Sequence, residues 1–371
     1  MPHDDPARSS TLPGRLYVDP DVLARERGAI FLRTWNYAGA LSQLGRPGDY
    51  VTARLLDQNI IVMRGRDGAL RGFHNVCQHR AHELLEGSGN ARTIVCPYHA
   101  WSYTDDGRLL SARGLEKQPD FEPARFCLKP VRIDVLADAF VFFNLDPDAT
   151  PLSDLAGDLD ADLRAMLPAL PGYRAQPFGP ARRIAANWKV VVDNFLECYH
   201  CAPAHPAFCD LVDMASYRMT VQGLWSSQKG TLRHGDNAAY PVADDGERRA
   251  LFWWLFPSTV INVMPGAPEV VVGTILPDGV GHTLRRFQPF APEGARRDPA
   301  REAYEQHVLG PEDVAICESV QRGLASLGFD LGRIVHDAAN PHHGEAAVHH
   351  FHRLVMNALG HSLSPAAGGS G

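Results

Sequence analysis

No stretch of this 371-residue chain approaches the roughly 18 apolar residues that a membrane-spanning helix requires, so a helical membrane protein is excluded. Dense runs of Lys or Arg are also missing. The 36 basic and 43 acidic residues leave a formal charge of −7, which offers little footprint for nucleic acid. The opening Met1-Pro2-His3-Asp4-Asp5 is acidic and proline-bearing, unlike the basic and then apolar start of a secretory leader, and export is not expected. No convincing Gly-rich dinucleotide fingerprint is present, so NAD(P)H is not expected to bind this chain directly. Cysteine is scarce and odd in number. Four of the seven sit beside histidines, not in disulfide spacing, which favours metal binding or free thiols in a reducing compartment such as the cytoplasm.

What is present is an ordinary globular composition, 45% hydrophobic and 21% charged, on a chain long enough to expect two domains. Residues 1–40 read as an arm leading into a helix, with Val22, Leu23, Ile30, Phe31 and Trp35 recurring near helical spacing after Asp19-Pro20. Short β-rich segments follow at Tyr50 to Leu55, Asn59 to Arg64 and Leu70 to Phe73, with Asp67-Gly68 and Asp106-Gly107 as hairpin turns. Strand character returns at Val131 to Val135 and Ala139 to Asn144. Prolines 147 and 151 then mark a boundary, giving an all-β domain over 41–150. Helical stretches around 153–167 and 187–201, strands across 217–290 and two closing helices predict an α+β second domain over 151–361. The last helix, about 345–359, carries Val348, Phe351, Val355 and Leu359 on one face, and residues 362–371 read as a disordered tail.

The strongest motif is Cys77-Gln78-His79, followed after sixteen residues by Cys96-Pro97-Tyr98-His99. Each half offers one thiolate and one imidazole. A Rieske [2Fe-2S] cluster needs two thiolates on one iron and two imidazoles on the other, which two such loops supply from both sides. Zinc sites also use two Cys and two His, but usually pair like with like. Four unrelated core residues would leave Arg80, Pro97 and Trp101 beside them unexplained. His74 and His82 fall outside the pairing and read as supporting residues.

A second constellation runs Asn187-Trp188-Lys189, Asp193-Asn194 and Glu197-Cys198-Tyr199-His200-Cys201, ending at His205-Pro206. Histidines five apart stand about 140° apart on a straight helix, but Pro203 is expected to end or bend it so that both face one metal. Two imidazoles and a carboxylate form the facial triad of oxygen-activating Fe(II). Asp313 is the candidate carboxylate, because Asp313, Cys317, Val320 and Leu324 fall on one helical face, whereas Glu312, Glu318 and Arg322 read as solvent-facing. On spacing alone, Asp313 after Pro311 reads more readily as a first-turn acid complementing the helix dipole.

The Cys77 to Arg80 and Cys96 to Trp101 segments resemble the Cys-x-His-Arg and Cys-x-x-His-x-Trp halves of the Rieske oxygenase alpha-subunit family. The likeness runs from about residue 20 to 360. It implies a Rieske domain followed by a helix-grip catalytic domain of antiparallel sheet and helices. It also implies Cys77, His79, Cys96 and His99 as cluster ligands, and His200, His205 and Asp313 as ligands of mononuclear Fe(II), the segment from Pro311 to Leu324 resembling the one that carries the third ligand. Glu197 occupies the position of the acid that links this iron to a cluster histidine of a neighbouring subunit, many ring dioxygenases having Asp there. That arrangement implies a homotrimeric ring. Electrons would come from NAD(P)H through a separate reductase carrying flavin and an iron-sulfur centre.

Glu-Cys-Tyr-His-Cys-x-x-x-His-Pro and Val-Gln-Arg-Gly-Leu resemble the quaternary-ammonium branch, which includes carnitine, glycine betaine and choline-type monooxygenases. That branch implies hydroxylation of a C–H beside nitrogen and C–N cleavage. Aromatic faces hold permanent cations well, and Tyr217, Trp225, Trp253, Trp254 and Phe256 are the candidates, although a residue of this kind is more often core. The competing expectation is hydroxylation or dihydroxylation of an aromatic acid, in an apolar slot with one arginine. A Rieske ferredoxin would have no use for the second histidine-carboxylate set.

Overall fold

The computed structural model describes residues 2–115, 117–337, 340 and 344–360. Contacts divide the chain into two units, one of residues 31–175 and the other of the segment up to Ile30 with that from Gln176 onward. The chain is mixed α and β in both sequence order and content. No helix among the described residues is long and apolar enough to cross a membrane.

The chain opens with α1 (Arg15–Val18) and α2 (Pro20–Ala29), both of the second unit. Asp19 caps α2 by accepting the Asp21 N–H at 2.9 Å, with Pro20 at the first helical position. The helix stops at Ala29, short of Trp35, whose indole donates to the Thr150 carbonyl at 2.9 Å within the β unit.

The β unit holds β1 (Asn36–Ala40), β2 (Asp49–Leu55), β3 (Gln58–Arg64), β4 (Leu70–His74), β5 (Ser88–Asn90), β6 (Ile94–Val95), β7 (Ser102–Tyr103), β8 (Leu109–Ser111), β9 (Pro130–Leu136) and β10 (Phe140–Asn144). Seven form one sheet in the order β1-β10-β9-β4-β3-β2-β5, and β6-β7-β8 form a smaller one. Gly68 and Gly107 take φ of 81° and 82° at the two predicted turns. At Gly107 a side chain would also meet the Phe73 ring at 2.5 Å.

Both edges of this unit differ from the predicted 41 and 150. The end of the arm is β1, paired with β10 from Asn36 opposite Phe143. Beyond β10, α3 (Leu152–Ala156) and α4 (Leu159–Met166) stay with the β unit because Asp134 accepts the Leu152 N–H at 2.8 Å and Asp160 accepts the Ala137 N–H at 2.6 Å. The short β11 (Arg174–Ala175) ends it. The predicted tail, 362–371, lies outside the described residues.

In the second unit β13 (Val212–Gln222), β14 (Trp225–Leu232), β15 (Arg249–Leu255), β16 (Thr259–Val263), β17 (Val270–Pro277) and β18 (Thr283–Ala291) form an antiparallel meander, and β12 (Arg182–Ile184) pairs with β18. Besides α1 and α2, its helices include α5 (Trp188–Phe195), α6 (Cys201–Ala204), α7 (Pro206–Leu211), α8 (Pro299–Tyr304), α9 (Gly310–Leu324) and α10 (Ala346–Ala358). The predicted face of α10 is buried, and Phe351 meets Trp188 and Trp254 edge-on at 5.5 Å each.

Inside this unit Lys189 and Glu26 form a fully buried pair at 2.6 Å, and Trp188 donates to the same carboxylate at 2.8 Å. Burial pulls the Lys189 pKa down while Glu26 opposes that shift. Removing one partner alone would strand a buried charge, a loss of about 3–5 kcal/mol. The pair therefore pins α2 to α5, the helix that leads into the histidine segment.

Candidate metal centres

Two loops of the β unit repeat one backbone plan. Cys77 donates its N–H to the His82 carbonyl at 2.8 Å and accepts from Ala81 at 3.0 Å; Cys96 donates to Trp101 at 2.7 Å and accepts from Ala100 at 3.0 Å. Ala81 and Ala100 take φ of 57° and 59°, the left-handed region that costs an alanine roughly 1–2 kcal/mol. The same strain at the same place in both loops shows a geometry held by the turn. His79 stands two residues after its cysteine and His99 three.

Both cysteines are buried and free, whereas His79 is exposed and His99 half-buried. The two imidazoles meet edge-on at 4.6 Å between ring centroids, and Trp101 stacks on His79 at 4.8 Å. The Nδ1 of His99 is buried without a hydrogen-bond partner. Inner thiols, outer imidazoles and an orphaned ring nitrogen fit a cluster with thiolates on its inner iron and imidazoles on its outer one. The Gln78 N–H donates to the Tyr103 hydroxyl at 3.0 Å, leaving that hydroxyl to donate to the Cys77 sulfur at 3.3 Å. His82 hydrogen-bonds through Nδ1 to the Glu83 carbonyl, and burial lowers the His74 pKa. The His82 backbone carbonyl accepts from Cys77, but among the described residues no hydrogen bond joins either imidazole to Cys77 or Cys96.

The second centre is built on a helix break. The sequence predicts that break at Pro203, but α5 already ends at Phe195, capped by Leu196, whose N–H returns to Val192 and Asp193. His200 then caps α6, and His205 lies between α6 and α7 with φ −128° and ψ 61°. Cys198 and Cys201, expected as free thiols or metal ligands, form a disulfide across this loop. Asp313 arrives from the first turn of α9.

His200 Nε2 and His205 Nε2 stand 3.2 Å apart, and Asp313 Oδ1 lies 3.0 Å from His205 Nε2 and 3.8 Å from His200 Nε2. Donor atoms about 2 Å from one ion and at right angles stand about 3 Å apart, so this convergence fits a single metal. Each imidazole is held from behind by a carboxylate. Glu197 Oε1 lies 2.5 Å from His200 Nδ1, while its Oε2 accepts the His200 backbone N–H at 3.0 Å. Glu312 Oε2 lies 2.8 Å from His205 Nδ1. Burial works to lower the His205 pKa, but Asp313 and Glu312 together hold it above the usual imidazole value.

Glu312 and Glu318, read as solvent-facing, are both half-buried and hold specific partners: Glu312 meets His205, and Glu318 accepts the Ala185 N–H at 3.1 Å. The predicted apolar stripe of α9 holds at Cys317 but fails at Val320, which is 45% exposed. A signal for Glu312 was available: ligating histidines ordinarily donate their second ring nitrogen to a carboxylate, and an acid stood next to the candidate ligand.

The centre opens on a cavity of about 730 Å³. Tyr217 lines it with Phe208, Phe252 and Phe287, whereas Trp225, Trp253, Trp254 and Phe256 are buried off its walls. Alternation along β15 turns Trp253 away from the face that Phe252 presents, and Trp254 packs on Phe256 and Phe351. Sequence reasoning also missed Arg285, which lines the same cavity, and Glu305, whose carboxyl burial pushes up to about 7 despite the opposing Arg301.

Residues 172–361 match the family model of the ring hydroxylating alpha subunit (catalytic domain), and residues 34–122 match the Rieske [2Fe-2S] domain. The chain is 36% identical to the carnitine monooxygenase oxygenase subunit of Escherichia coli (strain K12), over 95% of its own length and 94% of that protein's. It is 33% identical, with a TM-score of 0.84, to a quaternary ammonium Rieske monooxygenase solved in complex with substrate L-carnitine, covering 95% of this chain and 97% of that one. A second structure, of a quaternary ammonium Rieske monooxygenase described for carnitine oxidation and inter-subunit electron transfer, is 33% identical with a TM-score of 0.88, covering 95% of this chain and 96% of that one. The two matched domains imply a [2Fe-2S] Rieske cluster and a mononuclear iron. This chain belongs to the Rieske non-haem iron oxygenase alpha-subunit family, and is an oxidoreductase of its monooxygenase branch.

Proposed function

We propose that the chain hydroxylates a C–H bond beside nitrogen in a quaternary or methylated amine. The observation that carries this reading is the convergence of His200, His205 and Asp313 on a cavity walled by Phe208, Tyr217 and Phe252, in a chain similar to carnitine-oxidising relatives. In this reading those three residues hold Fe(II), Cys77 and Cys96 bind one iron of the cluster, and His79 and His99 bind the other. The mononuclear iron supplies O₂ activation when bound. Glu197 and Glu312 fix the tautomers of His200 and His205, so that both Nε2 atoms point at one spot.

One oxygen atom enters the C–H bond; the other leaves as water with two protons and two electrons. The hydroxylated carbon beside nitrogen then releases its C–N bond, giving an amine and an aldehyde. The aromatic wall favours a permanent cation by about 0.5–2 kcal/mol per ring face. The electrons come from NAD(P)H through a separate flavin and iron-sulfur reductase. They cross between subunits of a homotrimer at Glu197, in the cytoplasm.

The test is a substrate panel of carnitine, glycine betaine, choline and benzoate, run with a generic reductase and scored for aldehyde, amine and hydroxylated arene. Aldehyde and amine are expected from at least one quaternary amine, and no product from benzoate. Turnover of benzoate with none of any amine would replace this reading by the aromatic-acid one.

A further inference from the structure

The cavity contains a guanidinium that has no ion-pair partner among the described residues. Arg285 lies on β18 opposite Ile275 of β17 and Arg182 of β12, and its guanidinium sits over the Phe287 ring at 5.1 Å. Its Nε is buried without a hydrogen-bond partner, and among the described residues its guanidinium forms no ion pair. The cavity's buried arginine is answered: Arg301 pairs with Glu269 at 2.6 Å. So is Arg297, which pairs with Glu302 at 3.0 Å.

The surroundings of Arg285 add positive charge. A Cβ at Gly310 would stand 3.4 Å from Arg182 Nη1 and 3.9 Å from Arg285 Nη2, so the two guanidinium groups share the space left by that glycine at the start of α9. Burial works against the Arg285 charge, Asp313 supports it and Arg182 opposes it. A largely desolvated cation beside a second cation is a standing cost unless an anion arrives from outside. Such an anion must fit the cavity and present a flat pair of acceptors to a forked donor, which describes a carboxylate.

We infer that Arg285 receives the carboxylate of the substrate, so that the site selects quaternary ammonium compounds that also carry a carboxylate over those that carry a hydroxyl. This deepens the quaternary-amine reading and rests on it. The two arginines repel an ammonium group, so a zwitterion is oriented by charge, with its cationic end against Phe208, Tyr217 and Phe252. An alcohol analogue keeps the cationic half of this recognition and loses the anionic half.

Calorimetric binding of carnitine, choline and benzoate to the purified, iron-loaded protein and to its Arg285→Met and Arg285→Lys variants tests this. The wild type is expected to bind carnitine more tightly than choline. Arg285→Met should weaken carnitine roughly 30-fold or more, the loss typical of a truncated buried charge pair, and shift choline less than about threefold. Arg285→Lys should fall between, since lysine keeps the charge without the fork. Iron content, cluster absorption and melting temperature separate this outcome from misfolding. Equal weakening of carnitine and choline, loss of iron, or unchanged carnitine binding would each overturn the inference, the first two making Arg285 a support for Asp313. If the wild type binds neither amine but binds benzoate through Arg285, the amine reading fails while the carboxylate role stands. Should the wild type bind no carboxylate at all, the inference fails with it.

Discussion

Glu312 was read from the sequence as a solvent-facing acid, and its contact with His205 gives it a measurable task. In Glu312→Ala, the 2.8 Å bond to His205 Nδ1 is lost and the imidazole, itself 3% exposed, is left with a buried unpaired N–H. A hydrogen bond to a charged group is worth about 1.5–3 kcal/mol when buried. The Glu312 side chain is 35% exposed, so solvent screening reduces this to roughly 1–2 kcal/mol. At 1.4 kcal/mol per factor of ten, metal affinity should fall about 5- to 30-fold, near the lower part of the range for such supporting carboxylates.

The assay is titration with Fe(II), under anaerobic conditions, of protein stripped of mononuclear iron but retaining its cluster, with Co(II) as a spectroscopic stand-in and the Rieske absorption as an internal control. Glu312→Gln keeps an acceptor without the charge and should lose less than Glu312→Ala. If both variants bind metal as tightly as the wild type while the cluster spectrum is intact, the His205 contact has no influence on the metal and the reasoning is wrong.

Glu305 gives a pH signature. Its carboxyl is raised to about 7, above the usual unfolded value near 4.3, so the folded state holds the extra proton: stability from this group is complete below the unfolded value and is lost as pH rises towards 7 and beyond. With the side chain 33% exposed, Glu305→Gln should stabilise the protein by about 1–2 kcal/mol at pH 8 and by nearly nothing at pH 4.5, read by denaturant unfolding; equal effects at both would refute it. Tyr103→Phe removes a hydrogen bond to the Cys77 sulfur, worth about 1 kcal/mol net, and should lower the cluster potential by about 40 mV in a spectroelectrochemical titration. Glu197→Gln should retain both metals and reduce its cluster normally, yet oxidise that cluster much more slowly in a single turnover with O₂ and substrate. Normal oxidation in that variant would leave Glu197 only its bond to His200.

What could be read from the sequence was whatever is encoded locally. The Cys-His loops, the Asp67-Gly68 and Asp106-Gly107 turns and the buried face of α10 each lie within a dozen or so residues, where residue type and spacing set the geometry. The pocket was not legible, because which aromatic residue faces a cavity depends on how far a helix or neighbouring strand stands off that face. Trp254 and Phe252 share a side of β15, yet Trp254 meets Phe351 of α10 and Phe252 meets the cavity. Arg285 was illegible for the same reason. Its significance lies in having no acidic partner among the described residues, which no pattern in a single sequence displays.

The third member of the histidine-carboxylate group shows why an apolar stripe was the wrong guide. Asp313 lies 108 residues from His205, and α9 carries only Cys317 as a fully buried side chain, so burial alone holds this helix weakly. Polar straps supply the rest. Glu318 accepts the Ala185 N–H, Gln321 accepts the Asn187 N–H at 2.7 Å, and Asn187 in turn caps α5 by accepting the Lys189 N–H at 3.0 Å. The segment that starts α5 is thereby tied to the helix that brings Asp313, and α5 leads directly to Glu197 and His200. A helix anchored by side-chain-to-backbone bonds is fixed along its axis as well as against its neighbour, because each acceptor must meet one particular N–H. Apolar packing tolerates small slides that such bonds do not. Three donor atoms that must share one ion need that kind of register, which gives α9 a reason to turn Glu312 and Glu318, both read from the sequence pattern as solvent-facing, to partners beside Asp313 and Gln321.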